Sequence, residues 1–339
     1  LSPWSNEKTP SFYVVPQKNL FKDFSTGKGG DAIRFVMEYN RVNFVDAIKD
    51  IAAKTGERIE YEETETANED QEHREKLFKI TEAAARRFRD ALLEIDARHW
   101  AFNELINKRA FTADTIAQRH IGYAPTLTSV SHGLGEKPNR YDYWQFLAKP
   151  LREKALIKEA VELGLVREKE GRTYDAFRDR IIFPIHNHHG RIVAFGGRAR
   201  VADAYNAKYI NSNESKFFHK STTLFGLHFA AGHIRKQGYA FLMEGYTDVI
   251  SFHQAGQGMA VGTCGTALTD QQCTLLKKYC SKVILLPDPD GAGERSALTS
   301  IDLLMQHGFE VGVVPMPQID GRKVDPDELT RMFPAKSID

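Results

Sequence analysis

Six carboxylates in the C-terminal third stand where metal-assisted chemistry would need them. Glu244 follows the apolar run Ala240–Met243 directly, and Asp248 lies four residues on. Asp288 and Asp290 follow Val283–Leu286 within Pro287-Asp-Pro-Asp-Gly291. Asp325 and Asp327, with Glu328, follow Val311–Val314 after a polar loop. If these runs are strands of an open α/β sheet, the acids fall at the carboxyl ends, where such sheets hold ligands. Crowded carboxylates repel one another unless counter-charge is supplied. Magnesium (or manganese) suits the place: magnesium takes hard oxygen ligands, keeps several waters, and binds through a few carboxylates plus substrate phosphates. Metal ions there would activate a sugar hydroxyl and stabilise a leaving pyrophosphate.

Each acidic group also has a plainer reading. Glu244 and Asp248 would complement a helix N-terminus. Pro287–Gly291 would make a turn. Asp325-Pro-Asp-Glu328 would open a helix. Taken together at successive strand ends, the metal reading outweighs the separate ones.

The elements that must position these acids follow from hydrophobic periodicity. Over 238–316, apolar runs at Ala240–Met243, Met259–Val261, Val283–Leu286 and Val311–Val314 alternate with helical stretches at 246–255, 269–279 and 293–307. That rhythm predicts a mainly parallel sheet. Residues 73–232 open with long amphipathic helices and pass into strands. There Arg180–Ile185 and Arg191–Phe195 flank a polar turn ending in Gly190, which predicts a hairpin. His186, His188 and His189 fall in that turn and read as surface residues rather than metal ligands. Residues 63–72 are acidic with nothing to bury, a linker or an exposed helix start. Residues 1–62 carry a hairpin (Ser11–Val15 with Asn19–Phe24), a helix opening at Asp31 and a second over 43–54. The fold class expected is α+β followed by α/β. The domains expected are 1–62, a linker 63–72, 73–232, 233–316, and a segment 317–339 that begins a further helical part.

Composition narrows the function. The 339 residues carry 46 Lys and Arg against 45 Asp and Glu, a net charge of +1. This excludes a uniformly basic wrapper of nucleic acid but allows basic patches beside an acidic site. A hydrophobic content of 42% supports sizeable cores. No run approaches the roughly 20 apolar residues of a membrane helix, and no secretory signal opens the chain. The expectation is no membrane partner and a cytoplasmic location. The three cysteines, Cys264, Cys273 and Cys280, are an odd, clustered set that suits a reducing compartment. Cys273 and Cys280 read as lying on one helix, about 10 Å apart along its axis, too far to bridge. No G-x-x-x-x-G-K-[ST] phosphate loop is present, so no helicase motor is expected in this chain. A chain opening on Leu1 is expected to be a fragment or a processed product.

At this point the residues resemble a known family. Glu244-Gly-Tyr-Thr-Asp-Val249, Gly265-Thr-Ala-Leu-Thr269 and Asp288-Pro-Asp-Gly-Ala-Gly293 are similar to the Toprim motifs of bacterial DnaG-type primases. Phe177-Arg-Asp-Arg-Ile-Ile-Phe-Pro-Ile185, Gly190–Arg198, Lys208-Tyr-Ile-Asn-Ser212, Glu214, Lys220 and Leu224-Phe-Gly-Leu227 resemble that family's RNA polymerase domain. Asn107-Lys-Arg-Ala-Phe111 and Ile121–Pro125 match its N-terminal subdomain more loosely. The Toprim motif alone is shared with topoisomerases and some nucleases; the upstream set is specific to primases. The resemblance implies a mixed α+β subdomain leading into a Toprim parallel-sheet subdomain. It implies that Glu244, Asp248, Asp288, Asp290, Asp325 and Asp327 bind metal, with Glu244, Asp288 and Asp290 catalytic. It further implies that Arg178, Arg180, Arg198, Lys208, Asn211 and Lys220 line the nucleotide and template groove. Arginine grips phosphate bidentately and lysine acts as a point charge, which fits those roles. One departure stands out: Pro289 lies between the two acids of the third motif, where the family usually has Gly, and it biases Asp288 toward an extended backbone.

Residues 1–62 resemble the family's zinc-binding domain, a β-ribbon, with the ligands replaced. Ser2, Ser5, Asp23 and Thr26 stand where the family holds its metal. A structural zinc site needs mostly thiolate and imidazole donors, so no zinc is expected. Trp4, Phe12, Tyr13, Phe21 and Phe24 would form a compensating aromatic core. The function implied is a DNA primase: synthesis of a short RNA primer on a single-stranded DNA template from ribonucleoside triphosphates. The implied partner is a replicative helicase, reached through a C-terminal domain that this chain lacks. The alternatives are a Toprim nuclease or topoisomerase-like strand-cleaving enzyme, and a non-catalytic single-stranded DNA-binding module.

Overall fold

The computed structural model describes residues 1–4, 7, 9–40, 44–57, 65–126, 144–202, 207–265, 267–319 and 321–332. They belong to two compact units, Leu1–Asp70 and Gln71–Asp339.

The first unit is built on β1 (Phe12–Val15), β2 (Leu20–Asp23) and β3 (Gly29–Gly30), an antiparallel sheet in the order β1-β2-β3. Two helices follow, α1 (Ala32–Asn40) and α2 (Phe44–Thr55). Asn19, at φ 50°, turns the chain between β1 and β2. The register pairs Phe12 with Asp23 and Val14 with Phe21. Side chains of a strand alternate between faces, so Phe12, Phe21 and Asp23 share one face. Trp4, Phe12, Phe21 and Phe35 of α1 cluster there, with ring centroids 5.4–5.8 Å apart. The expected aromatic core is therefore corrected: Tyr13 and Phe24 lie on the other face, exposed and in edge contact at 5.8 Å, and Phe35 takes their place.

α3 (Glu65–Leu93) carries the chain from the first unit into the second, so the acidic stretch is a helix start rather than a linker from Glu65 onward. Leu77, Ile80, Ala84 and Phe88 form its buried stripe at helical spacing. Six strands follow: β4 (Gly122–Ala124), the hairpin β5 (Val166–Lys169) and β6 (Arg172–Asp175), then β7 (Arg180–His186), β8 (Ile192–Ala199) and β9 (Tyr209–Asn211). β4, β7, β8 and β9 form an antiparallel sheet in the order β4-β7-β8-β9, and the predicted hairpin is its centre. Gly122 lets α3 lie directly on this sheet, since a Cβ there would sit 2.6 Å from the backbone of Phe88. The expected histidine turn is half right. His188 and His189 are exposed in the turn, but His186 ends β7 and is buried against Phe229 at 5.2 Å, between the rings of His120 and His228. The strand outlasts its apolar run by one residue, and burial pushes that imidazole down to about 4.

The second sheet contains β10 (Leu224–Phe225), β11 (Tyr239–Met243), β12 (Ala260–Thr263), β13 (Lys282–Leu285) and β14 (Glu310–Val313), in the order β10-β12-β11-β13-β14. β11 to β14 are parallel, as predicted; β10 adds an antiparallel edge. Helices Tyr246–Gln254, Asp270–Leu276 and Gly291–Gln306 cross between the strands. The chain leaves β11 for β12 and then returns past β11 to β13, so the order reverses beside β11. The crevice outside its carboxyl end is the place where such sheets bind ligands. The helix after β12 stops at Leu276, earlier than its predicted end, so Cys280 is not on it; the chain turns there into β13. All three cysteines are buried and free. A short hairpin, β15 (Gln318–Ile319) and β16 (Arg322–Lys323), leads into the helix Pro326–Met332. Among the described residues, no helix is long and apolar enough to cross a membrane.

Candidate active site

Glu244 leaves β11 into the crevice and is solvent-exposed. One turn into the next helix, Asp248 is buried, and its Oδ1 accepts a hydrogen bond from the backbone N–H of Asp327 at 3.1 Å. Gly245 makes room for that carboxylate: a Cβ there would meet Asp248 Oδ2 at 2.0 Å. Beyond β13, Asp288 is half-buried, and Asp290 caps the helix Gly291–Gln306 by accepting from Gly293 N–H at 2.7 Å. Gly293 lies close under Asp288, where a Cβ would stand 2.4 Å from the Asp288 carbonyl oxygen. Asp325 in turn caps the helix Pro326–Met332, accepting from Glu328 N–H at 2.7 Å. The turn and helix-start readings of these acids are thus both realised, and the acids still face one another.

Electrostatics shows the crowding. Burial, then Asp288, Asp327 and Asp325, pushes Asp248 up to about 7. Burial, then Glu244, Asp290 and Asp325, pushes Asp288 up to about 6, with Lys208 opposing. Among the described residues no three His, Cys, Asp or Glu side chains are close enough to form a cation cage on their own. A magnesium ion does not demand one, because it is held through one or two carboxylates, waters and substrate phosphates. The hard oxygen donors and the unbalanced negative charge fit such an ion.

A stability test follows from these shifts. A carboxyl whose folded pKa is raised binds a proton in the native state that the unfolded chain has released. Stability is therefore lost as pH rises from about 4 through the folded values of about 6 and 7. Added magnesium is expected to raise the melting temperature at pH 8 and to leave it nearly unchanged at pH 5. Thermal unfolding at the two pH values, with and without the ion, reads this directly. Equal shifts at both would remove the carboxylates as the cause.

Asp327 differs from the rest. It is fully buried, with Oδ2 at 2.5 Å from Arg109 Nη1 and 3.1 Å from Arg331 Nη1, while Oδ1 accepts from Ser251 Oγ. Arg109 also reaches Glu104, at 3.2 Å, and Glu104 holds Arg198 at 2.9 Å. A chain of buried charge thus runs from β8 to the helix that carries Asp327. Burial works against the charge of Arg109, and Asp327, Tyr209 and Glu104 together more than offset it, so the guanidinium stays protonated. Glu104, Arg109 and Ser251 were not singled out in the sequence. Arg109 lies inside the Asn107–Phe111 motif, so a signal existed; Glu104 precedes it on a π-helix, Asn103–Lys108, that no periodicity reveals.

The basic residues divide as well. Lys208 is exposed and is close enough to Asp288 to oppose its shift. Asn211 donates to the Cys264 carbonyl at 2.7 Å and accepts from Tyr246 Oη at 2.7 Å, tying β9 to the end of β12. Arg180 is buried and donates to the carbonyls of Gly197 and Ala207 at 3.0 and 2.9 Å. Arg178 donates to the Asp175 carbonyl at 2.8 Å and lies over the Trp144 ring at 4.5 Å. Between them Asp179, at φ 47°, accepts from Trp100 Nε1 and Tyr123 Oη at 2.8 and 2.6 Å, which fixes the turn. Lys220 sits in a short helical turn whose backbone is clasped by Glu214 and Gln272.

Comparison with known proteins covers both units. Family models for the DNA primase catalytic core, N-terminal domain, a Toprim-like domain and a CHC2 zinc finger match residues 88–231, 241–330 and 1–67. A DNA primase of Clostridium acetobutylicum is 35% identical over 333 residues, 98% of this chain and 51% of that protein. The chain thus spans about half the length of such curated relatives. Among solved structures, the zinc-binding and RNA polymerase domains of the Aquifex aeolicus primase align with a TM-score of 0.65 at 32% identity, covering 99% of this chain and 75% of that one. A DnaG primase catalytic domain solved with single-stranded DNA aligns with a TM-score of 0.62 at 26% identity, covering 78% and 77%. On these likenesses the chain belongs to the DnaG-type DNA primase family.

Proposed function

We propose that this chain is the N-terminal and catalytic part of a DNA primase, copying a single-stranded DNA template into a short RNA primer. The observation that carries the reading is the placement of Glu244, Asp248 and Asp288 at the switch point of the parallel sheet, where Asp288 and Asp325 act against the charge of Asp248, Glu244 and Asp325 against that of Asp288, and Lys208 opposes at Asp288. In the proposed step a ribose 3′-oxygen bonds to the α-phosphorus of a ribonucleoside triphosphate, the bond to the β-phosphate oxygen breaks, and pyrophosphate leaves. Glu244, Asp248, Asp288, Asp290 and Asp325 are the residues that would hold magnesium (or manganese), which when bound neutralises the phosphates and activates the hydroxyl. Glu244, open to solvent, accepts the proton of the attacking hydroxyl. Lys208 and Lys220 attract the triphosphate as point charges. Arg178, Arg180, Arg198 and Asn211 shape the template groove, and Arg180 and Arg198 act through the backbone and Glu104 contacts already described. Asp327 belongs to the same group of acids but orients it from behind, through its backbone N–H on Asp248. Catalysis here is mostly positioning and charge neutralisation.

The proposal extends to organisation. Residues 1–62 form a zinc-finger-like module without zinc, 73–232 and 233–316 the two halves of the catalytic core, and 317–339 the entry to a helical part. A replicative helicase is the proposed partner of the whole protein, acting in the cytoplasm at the replication fork.

Incubation with a single-stranded template, labelled ribonucleotides and magnesium tests the reading. Labelled primers are the expected product. Strand scission would replace it with a Toprim nuclease, and DNA retention without chemistry would replace it with a binding module.

A further inference from the structure

The N-terminal unit matches a zinc-finger model, yet its residues do not fit that ion. Zinc takes thiolate and imidazole nitrogen with an occasional carboxylate, and here one carboxylate stands among hydroxyls. Ser5 lies outside the described residues. The other three replaced positions converge on one point: Ser2 Oγ and Thr26 Oγ1 both donate to Asp23 Oδ2, at 2.7 and 2.5 Å. The second oxygen, Oδ1, receives Ser25 N–H at 3.2 Å and Ser25 Oγ at 2.9 Å, with Ser11 Oγ at 3.0 Å. An ionised carboxylate offers about four lone-pair sites. Those of Asp23 are taken up by protein donors, and the residue is fully buried. No face of it is left for a cation.

We propose that the Asp23 carboxylate and its ring of hydroxyls are the structural crosslink of the ribbon, occupying the role that a metal ion plays in the family. This rests on the zinc-free reading above and says what replaces the metal. The crosslink joins the segment before β1 (Ser2, Ser11), the end of β2 (Asp23) and the turn toward β3 (Ser25, Thr26), which are the places a zinc ion would tie. It stands on the same face as the Trp4, Phe12, Phe21 and Phe35 cluster, so polar and apolar fastenings act on one surface. Burial raises the Asp23 carboxyl, and the hydroxyls more than offset it, holding it well below the usual carboxylate range. Glu7 is joined to the ring: its Oε2 is 2.5 Å from Ser11 Oγ, whose one proton serves either carboxylate, its Oε1 accepts from the N–H groups of Ser2 and Ser11, and these contacts lower its own carboxyl. Lys28 is turned away, to Glu38 of α1 and the Trp4 ring, and Lys22 donates to the Gly27 carbonyl. The sign of the pH dependence follows. A depressed carboxyl contributes in full above the ordinary carboxylate value of about 4, and the contribution fades as pH falls below it.

Hydrogen exchange of the whole chain, read on peptides covering residues 12–23, tests this together with metal analysis. The expected result is no stoichiometric zinc after dialysis against zinc chloride, and protection unaffected by a chelator. Asp23→Asn and the isosteric Thr26→Val should each lower that protection at pH 7, Asp23→Asn by roughly tenfold or more, because a buried hydroxyl loses its acceptor or the acceptor its donor. Peptides beyond residue 71 should be unchanged. Wild-type protection should fall between pH 4 and pH 2.5, and the fall should be smaller in Asp23→Asn, where Glu7 and Glu38, also held below the ordinary carboxylate value, still titrate. Stoichiometric zinc with chelator-sensitive protection would overturn the zinc-free reading and the inference with it. A zinc-free chain whose protection survives both substitutions would overturn the inference alone.

Discussion

Asp288→Asn is expected to abolish primer synthesis, by on the order of 10²–10³-fold or more, while retention of single-stranded DNA stays near the wild-type level. The expected loss follows from removing one charge from a site that works by electrostatic stabilisation. The same substitution is expected to leave the fold intact or to stabilise it at pH 8. Asp288 is ionised there against burial and against Glu244, Asp290 and Asp325, and the neutral amide relieves that strain. Active sites often carry such a conflict between function and stability. Primer synthesis and thermal unfolding measured on one preparation separate the two effects. Unchanged synthesis would show that Asp288 is not part of the catalytic machinery; lost synthesis with a collapsed melting temperature would point to a structural role instead.

Asp327→Ala is expected to do the opposite. Asp327 is among the same acids in sequence but faces Arg109 and Arg331, not solvent. Its removal leaves Arg109 buried with Glu104 as the remaining carboxylate partner among the described residues, frees Ser251 Oγ of its acceptor, and loosens the helix Pro326–Met332 on the helix Tyr246–Gln254, where the bond from the backbone N–H of residue 327 to Asp248 remains. Breaking a buried ion pair from one side costs about 3–5 kcal/mol, on the order of 10 °C in melting temperature for a unit of this size. Chemical denaturation gives the first figure and a thermal scan the second. A melting temperature within a degree or two of wild type would mean that the pair contributes nothing net. Two aspartates of one acidic group are thus expected to part company, Asp288 failing in synthesis and Asp327 in stability.

The strands of the parallel sheet were legible because β11 and β13 are apolar runs bounded by acids and turns, and because the crossover helices lie at regular intervals. The positions of Glu244 and Asp288 were legible for the same reason, since they follow β11 and β13; Asp325 and Asp327 come only after the β15–β16 hairpin, which the sequence showed as a polar loop. What was hidden was short or long-range. β10 has two residues and β4 and β9 three, too few for any alternation to register. The helix opening at Asp31 is legible, but only the packing of α1 on the ribbon sets Phe35 against Trp4. His186 reads as a turn residue until the ladder between β7 and β8 is seen to include it. The roles of Arg180 and Arg198 were hidden too, because a backbone carbonyl or a buried Glu104 leaves no trace in residue type. Asp23 was recognised as a displaced ligand, yet Ser11 and Ser25, which complete its ring, belong to no spacing rule.

The pairing of Arg109 with Asp327 joins positions 218 residues apart in the chain. On a ribosome adding about 5–20 residues each second, the arginine emerges roughly ten to forty seconds before its carboxylate exists. Through that interval Glu104 is the carboxylate partner of Arg109 already made, while the helix Pro326–Met332 that carries the other is still to come. Newborn chains halted short of residue 327 should therefore depend on Glu104 alone of the two carboxylates to hold this guanidinium.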